Sequence, residues 1–409
     1  MNLLKEGLES GVVQNTDITK KLTIDGITKT YKVYKIRLDA LYYNDKNDRI
    51  ATWISEYTSH NTFDRSDTEA YNKIIEGFIV QSNENAMIRT KNNIKALGQQ
   101  EPGVVLVDGR IIDGNRRFTC LRQIHREDIN STNYFEAVIL EDNISRDERG
   151  IKSLELALQH GIQTRIDYNP IDRLVGIYND ITVNKIFTTG EYAQLTDETE
   201  AEIKKKVELA NLMADYLDFI GASGKFYVAR KQELDGPLNE VYTALKRHVR
   251  ETPEYKKMKK ILFMHLALKP HGDMTRYIRD IKSKIVGSTF EDDFIKEQMN
   301  MVETFTEKNI DLETDIKDPE KRIETIREKD SDLVDAISKS KEKYVEKTNR
   351  ETLQNQPLDL LQKSMECLDS IDLNILAKLS EKQLVPVQKQ ISDIQDKLNE
   401  ITNILDGLI

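Results

Sequence analysis

A chain of 409 residues with a formal net charge of −10, 32% charged and 7% aromatic side chains is too long for one compact core and too polar to live in a bilayer. Its two distant cysteines, Cys120 and Cys367, exclude a disulfide framework and a cysteine-based zinc site, as expected in a reducing cytoplasm. The N-terminus MNLLKEGLESGVVQ has no basic segment leading into an apolar one, and no window of about 18 apolar residues follows, so neither export nor membrane insertion is expected.

The first predicted elements are strands. Residues 21–40, KLTIDGITKTYKVYKIRLDA, alternate apolar and polar around Asp25-Gly26, the signature of a hairpin. Helical spacing follows in IATWISEYT (50–58) and in DTEAYNKIIEGFIVQ (67–81), where Ser66 and Asp67 can cap. TKNNIKALGQQEP (90–102) gives a short helix stopped by Gly98 and Pro102. GVVLVDGRIID (103–113) reads as two strands turning on Asp108-Gly109, RRFTCLRQIHRE (116–127) as a helix and YFEAVILE (134–141) as a strand. An α+β domain over 1–150 is expected.

Beyond it the strand signals fade, and an all-α middle over 151–295 is broken at Asn169-Pro170 and Gly236-Pro237. Residues 305–350 are dense in both charge signs and read as a linker or a solvated helix within a third region, 296–409. At its end Ile391, Leu398 and Leu405 take a positions of a heptad, and Ile394, Ile401 and Leu408 take d positions. Pro386 is placed in a first helical turn, where proline is tolerated. A short coiled coil from Leu384 to Leu408, joining two copies of the chain, is the expectation.

The chemistry concentrates in IIDGNRRFTCLRQI (111–124). A strand entering a glycine turn that opens a helix presents free backbone N–H groups and the positive end of a helix dipole. Arg116 and Arg117 add guanidinium charge suited to phosphate oxygens, and Gly114 lets the backbone approach closely. Asp113 can cap the turn, orient an arginine or hold a magnesium ion. The ligand such a turn suits is a polyphosphate or a nucleic-acid phosphate, held by Asp113, Gly114, Asn115, Arg116 and Arg117.

The ordered set LYYNDKNDR (41–49), NIKALGQQEP (93–102) and VVLVDGRIIDGNRR (104–117) resembles the ParB/sulfiredoxin superfamily, whose ParB-like members carry an NPR segment, a helix ending in an SIK-type turn, a strand pair and a GERR or DGxxR turn. The resemblance covers about residues 33–140 and implies a ParB/sulfiredoxin-like α+β domain, nucleotide binding with CTP or ATP and Mg2+ as cofactors, and Arg49 and Arg165 as outer contacts of the triphosphate. Downstream, DYNPID (167–172) matches the family's DLNPIE-type helix start. His160 and Gly161 stand where the family has a Glu-Asn pair, so NTP hydrolysis does not follow from the resemblance.

ParB-like chains continue with a helix-turn-helix, and residues 188–220 fit one, with Tyr192 and Ala193 packing the first helix and Ile203, Val207, Ala210, Leu212 and Met213 the second. Lys204, Lys205 and Lys206 then face DNA phosphates, joined by Lys246, Arg247 and Arg250 from a basic stretch over 246–284. The same residues also suit an amphipathic hairpin with a solvated lysine face.

Cys120, three residues past Arg117, reads as a small buried hydrophobe rather than the sulfiredoxin cysteine, and the histidines show no metal-ligand spacing. The leading expectation is a cytoplasmic ParB-like DNA-binding protein acting in partition, regulation or defence. Two others stay open: an NTPase or nuclease component of a DNA-modification or phage-defence system, with Asp108 and Asp113 as metal carboxylates, and a protein-interaction scaffold.

Overall fold

Alternation of apolar side chains builds a five-stranded mixed sheet. A computed structural model describes residues 1–24, 27–141, 148–161 and 169–408. Strands β1 (Val13–Ile24), β2 (Ile27–Arg37), β3 (Gly103–Leu106), β4 (Ile111–Asp113) and β5 (Tyr134–Leu140) lie in the order β1-β2-β5-β3-β4. β3 and β5 run parallel; the other neighbours are antiparallel. The β1–β2 hairpin is present and begins earlier than its sequence pattern suggested, although its Asp25-Gly26 corner lies outside the described residues. Gly109, with φ +94°, makes the β3–β4 turn at Asp108-Gly109.

Both faces of the sheet are covered, which is why β3 and β5 read as continuous apolar runs. Val105, Phe135, Ala137 and Ile139 face α2 (Thr68–Ser82), α3 (Glu84–Leu97) and α4 (Asn115–Glu127), meeting Ile75, Met87, Ile94, Phe118 and Leu121. Leu22, Val33, Val104, Leu106, Val138 and Leu140 point the other way, onto Ile151, Leu154 and Leu158 of α5 (Glu148–Gly161). The helix that closes the second face therefore begins at the end of the expected α+β segment.

α1 (Ala51–Thr58) precedes these helices, and beyond β5 the regular elements among the described residues are all helical. α6 (Pro170–Ile177) starts at the Asn169-Pro170 signal, with Asn169 as cap. α7 (Thr189–Thr196) and α8 (Glu200–Phe219) each carry a Thr/Glu capping box, at Thr188/Glu191 and Thr199/Glu202. α9 (Phe226–Lys231), α10 (Asp235–Leu245), α11 (Pro253–Leu268), α12 (Met274–Asp280), α13 (Glu291–Asp311) and α14 (Pro319–Lys329) follow. Gly236-Pro237 lies in the first turn of α10 and so marks a helix start. One core joins Tyr192, Met213, Tyr216, Phe263, Phe294, Phe305, Ile323 and Ile337. Burial in that core pushes His265 down to about 3, so its imidazole is neutral at pH 7.

The chain forms two compact units, 1–345 and 346–409. The charge-rich stretch over 305–350 is helical and not an open linker, because its apolar residues recur at helical spacing and are buried: Phe305, Ile323, Ile326, Leu333, Ile337 and Tyr344. α15 (Ser331–Asp369) runs on into the second unit, which also holds α16 (Leu373–Leu376) and α17 (Glu381–Asp406). α17 starts at Ser380, where a capping box with Gln383 fixes its end, so Pro386 sits inside the helix and not in the first turn. No helix of the described residues is long and apolar enough to cross a membrane.

Candidate phosphate-binding groove

Asp113 ends β4 and Asn115 opens α4, leaving Gly114 alone to turn the chain. It does so in the left-handed region, φ +100° and ψ +15°, as a helix N-cap with no side chain to satisfy the first turn. Phe118 N–H donates to the Gly114 carbonyl at 2.9 Å, while the N–H groups of Asn115, Arg116 and Arg117 have no backbone or side-chain acceptor among the described residues. A Cβ on Gly114 would stand 2.8 Å from the Phe135 ring and 3.3 Å from the Arg117 guanidinium.

The turn opens onto a groove of about 570 Å³, in the range of small-molecule sites, lined by Arg49, Arg89, Asn93, Gly114, Arg116 and Arg117 among others. Arg116 is half-buried and makes no hydrogen bond or ion pair with the described residues. Burial, and then the charges of Arg49, Arg89 and Arg117, lower its pKa from the ordinary value, yet a guanidinium stays charged at pH 7. Like charges are thus gathered around one unpartnered cation, an arrangement that an anion relieves.

Asp113 has a different role from its neighbours. Its Oδ2 accepts from Arg117 Nη2 at 2.8 Å, four residues on along the helix, and lies 4.0 Å from Lys20 Nζ. Of the three roles open to it in sequence, orienting an arginine is the one its contacts support. Asp108 accepts from the Arg110 N–H at 2.9 Å and from the Tyr42 hydroxyl at 2.8 Å, which commits it to the β3–β4 turn. Among the described residues no three ligating side chains come together as a metal site. The groove thus gathers cations and backbone N–H groups of the kind that suit an anion and, among the described residues, offers no set of three ligating carboxylates.

Arg49 reaches the groove from a tight 3-10 turn, Asp48–Ile50, capped by the Asn47 side chain, which accepts from Arg49 N–H at 3.0 Å. Thr52 N–H donates to Asp172 Oδ1 of α6 at 2.9 Å, pinning the chain after that turn, and burial pushes Asp172 up to about 6. Gly176 of α6 admits Asp48 so closely that a Cβ there would lie 2.6 Å from its carboxylate. Arg165, the other expected outer contact, lies outside the described residues, as do all of residues 162–168.

Sequence reasoning missed Arg89 because the helix was expected to start at Thr90, and it gave Thr90 and Asn93, which line the groove beside Arg89 on α3, no part in the site. Asn83 caps α3, accepting from Ala86 N–H at 2.9 Å, and an Asn-Glu pair at 83–84 was the available signal. Lys20, whose ammonium donates to the Pro102 carbonyl at 2.5 Å, carried no such signal. Cys120 is fully buried, and burial pushes its thiol up to about 11.

The basic residues of the helical region are largely engaged. Lys204 pairs with Glu200 at 3.0 Å, Lys206 with Glu198, and Arg250 with Glu208 at 3.5 Å. Arg247 donates to the Lys282 and Val286 carbonyls at 2.9 and 2.8 Å, a structural cap. Lys205 and Lys246 both lie over the Tyr242 ring, at 5.9 and 4.6 Å from its centre. The structure therefore brings Lys205 and Lys246 together, pairs Lys204, Lys206 and Arg250 with carboxylates, and commits Arg247 to backbone carbonyls. No family model, curated protein or solved structure matches this chain.

Proposed function

We propose that the protein is a cytoplasmic ParB-like DNA-binding protein whose N-terminal α+β region binds the phosphate chain of a nucleoside triphosphate, CTP or ATP, in the groove at Gly114–Arg117. One observation carries this reading: Arg116, without a hydrogen-bond or ion-pair partner among the described residues, stands beside three N–H groups that also have none there and beside Arg49, Arg89 and Arg117. In this reading the N–H groups of 115–117 receive one phosphate, Arg116 and Arg117 clamp its oxygens, and Arg49 and Arg89 meet the rest of the chain. Magnesium would arrive on the nucleotide. The paired α7–α8 helices, with Lys205 and Lys246 beside them, are the DNA-contacting element.

Arg116→Ala is the decisive variant, since Arg116 makes no hydrogen bond or ion pair with any described residue. It is expected to weaken crosslinking of radiolabelled CTP or ATP by at least about tenfold, the worth of one charge-assisted hydrogen bond, with unchanged or slightly raised thermal stability. The double variant Arg116→Ala, Arg117→Ala should abolish it. Equal labelling of wild type and double variant would remove the site.

The second unit gives the proposed dimer. On α17, Ile391, Leu398 and Leu405 remain 44 to 48% exposed, an unpaired apolar seam on a helix. Leu398→Glu in the full chain should convert a dimer to a monomer by light scattering. A monomeric wild-type chain at micromolar concentration would count against the coil.

A further inference from the structure

No described residue from 346 to 408 is buried, so the second unit taken alone has no core. Fourteen large apolar side chains stay exposed there, Leu358 at 68% and Met365 at 58% among them. Helices that bury nothing are marginal in water, so these faces call for cover.

The end of α15 carries a seam of its own. Leu358, Leu361, Met365 and Leu368 follow each other at spacings of three and four, as a and d positions do. Leu353, Leu360 and Cys367 recur every seven residues beside them. At about 100° per residue, Leu358 and Leu360 stand about 160° apart around the helix, a wider arc than the seam that one partner helix covers.

α17 is wide in the same way. Its flanking e and g positions between 388 and 404 are Gln388, Gln390, Gln395, Thr402 and Ile404, with Lys397 the one charge, paired with Glu400 at 2.6 Å. In a two-stranded coil such flanks face water and commonly carry Glu and Lys. Uncharged flanks suit burial against further helices.

A single chain does not cover these seams, because those of α15 and α17 both stay exposed within it. A second copy brings two more. At roughly 100 Å² per aliphatic side chain, the exposed set offers on the order of 1,000 Å² per chain, against the about 800 Å² per partner of a stable interface. Two seams per chain, each too wide for one neighbour, match four helices around one core.

We propose that the second units of two copies of this chain close into a four-helix bundle, built from the end of α15 and from α17 of each copy. This rests on the dimer proposed above and adds to it the α15 seam, which a two-stranded coil of α17 would leave in water.

Light scattering and sedimentation of the full chain test the bundle. The wild type is expected to be a dimer, and the double variant Leu358→Glu, Met365→Glu to raise its dissociation constant at least about 100-fold. Glu366→Lys, on the side of α15 away from the arc, should leave the dimer intact. Both positions of the double variant are exposed in the single chain, so the thermal midpoint of the first unit should not move. If the double variant dimerises as tightly as wild type while Leu398→Glu gives a monomer, the dimer is a coil of α17 alone and the bundle is overturned. A monomeric wild type overturns both readings, and a tetramer overturns closure by two copies. Dissociation by Glu366→Lys as strong as that by the double variant would trace the effect to charge and overturn the packing argument.

Discussion

Arg322→Ala is expected to lower the stability of the first unit by about 3–5 kcal/mol, the cost of removing one partner from a buried charged network. Arg322 is 1% exposed and sits on α14. Its Nε donates to Asn309 Oδ1 at 2.8 Å, its Nη1 to the Ile316 carbonyl at 3.3 Å, and its Nη2 to the Ile220 and Gly221 carbonyls at 3.0 and 3.2 Å. Two of these carbonyls end α8, so the guanidinium does for that helix what a C-terminal cap does elsewhere. Alanine would orphan all four acceptors and leave a cavity. Lysine cannot repair this, because an ammonium lacks the planar fork that serves separate carbonyls at once. Glu313, 3.5 Å from Nη1 and half-exposed, contributes little, and Glu313→Gln should cost under about 1 kcal/mol. Urea denaturation checks both: the midpoint should fall steeply for Arg322→Ala, remain low for Arg322→Lys, and barely move for Glu313→Gln. A midpoint for Arg322→Ala within error of wild type would show that water replaces the guanidinium at no cost.

The importance of Arg322 is invisible in DPEKRIETIREK, where it is one cation among many, and that marks the limit of a sequence reading. Periodicity is local, so β3, β5, α2 and α4 could be read from alternation and from 3.6-residue spacing. The Gly114 turn was legible for the same reason, since left-handed geometry and a following helix are written in neighbouring residues. Burial is not local. The stretch over 305–350 looks solvated because its charged residues outnumber its apolar ones, yet its few apolar residues share one face and enter the core. The candidate groove shows the same division: Gly114, Arg116 and Arg117 come from one motif, whereas Arg89 reaches it from α3 by packing alone, as Lys20 of β1 comes within 4.0 Å of Asp113. The buried ion group of Asp48, Lys152 and Asp180 has no motif at all, for its members lie on three elements and only the fold sets the two carboxylates beside the Lys152 ammonium.

Gly114→Ala tests whether the backbone of the turn, and not only its arginines, makes the phosphate site. Two penalties act on the substitution. Left-handed backbone at φ +100° costs a β-carbon about 1–2 kcal/mol, and forcing that carbon to 2.8 Å from the Phe135 ring adds about 1–3 kcal/mol. Phe135 cannot retreat. It is fully buried, packs edge-on against Phe118 at 5.8 Å, and its ring tip is also crowded by Gly103, where a β-carbon would lie 2.3 Å from it. Alanine at 114 is therefore expected to cost about 2–5 kcal/mol in urea denaturation. Phe135→Leu separates the two penalties, because a smaller side chain removes the clash and leaves the φ cost. In that background Gly114→Ala should cost only about 1–2 kcal/mol more. Nucleotide crosslinking then gives the functional answer. If the left-handed residue aims the N–H groups of 115–117 at the phosphate, crosslinking stays depressed in the double variant even where stability recovers. If it returns to the level of Phe135→Leu alone, the guanidinium groups hold the anion by themselves and the helix N-terminus is a bystander.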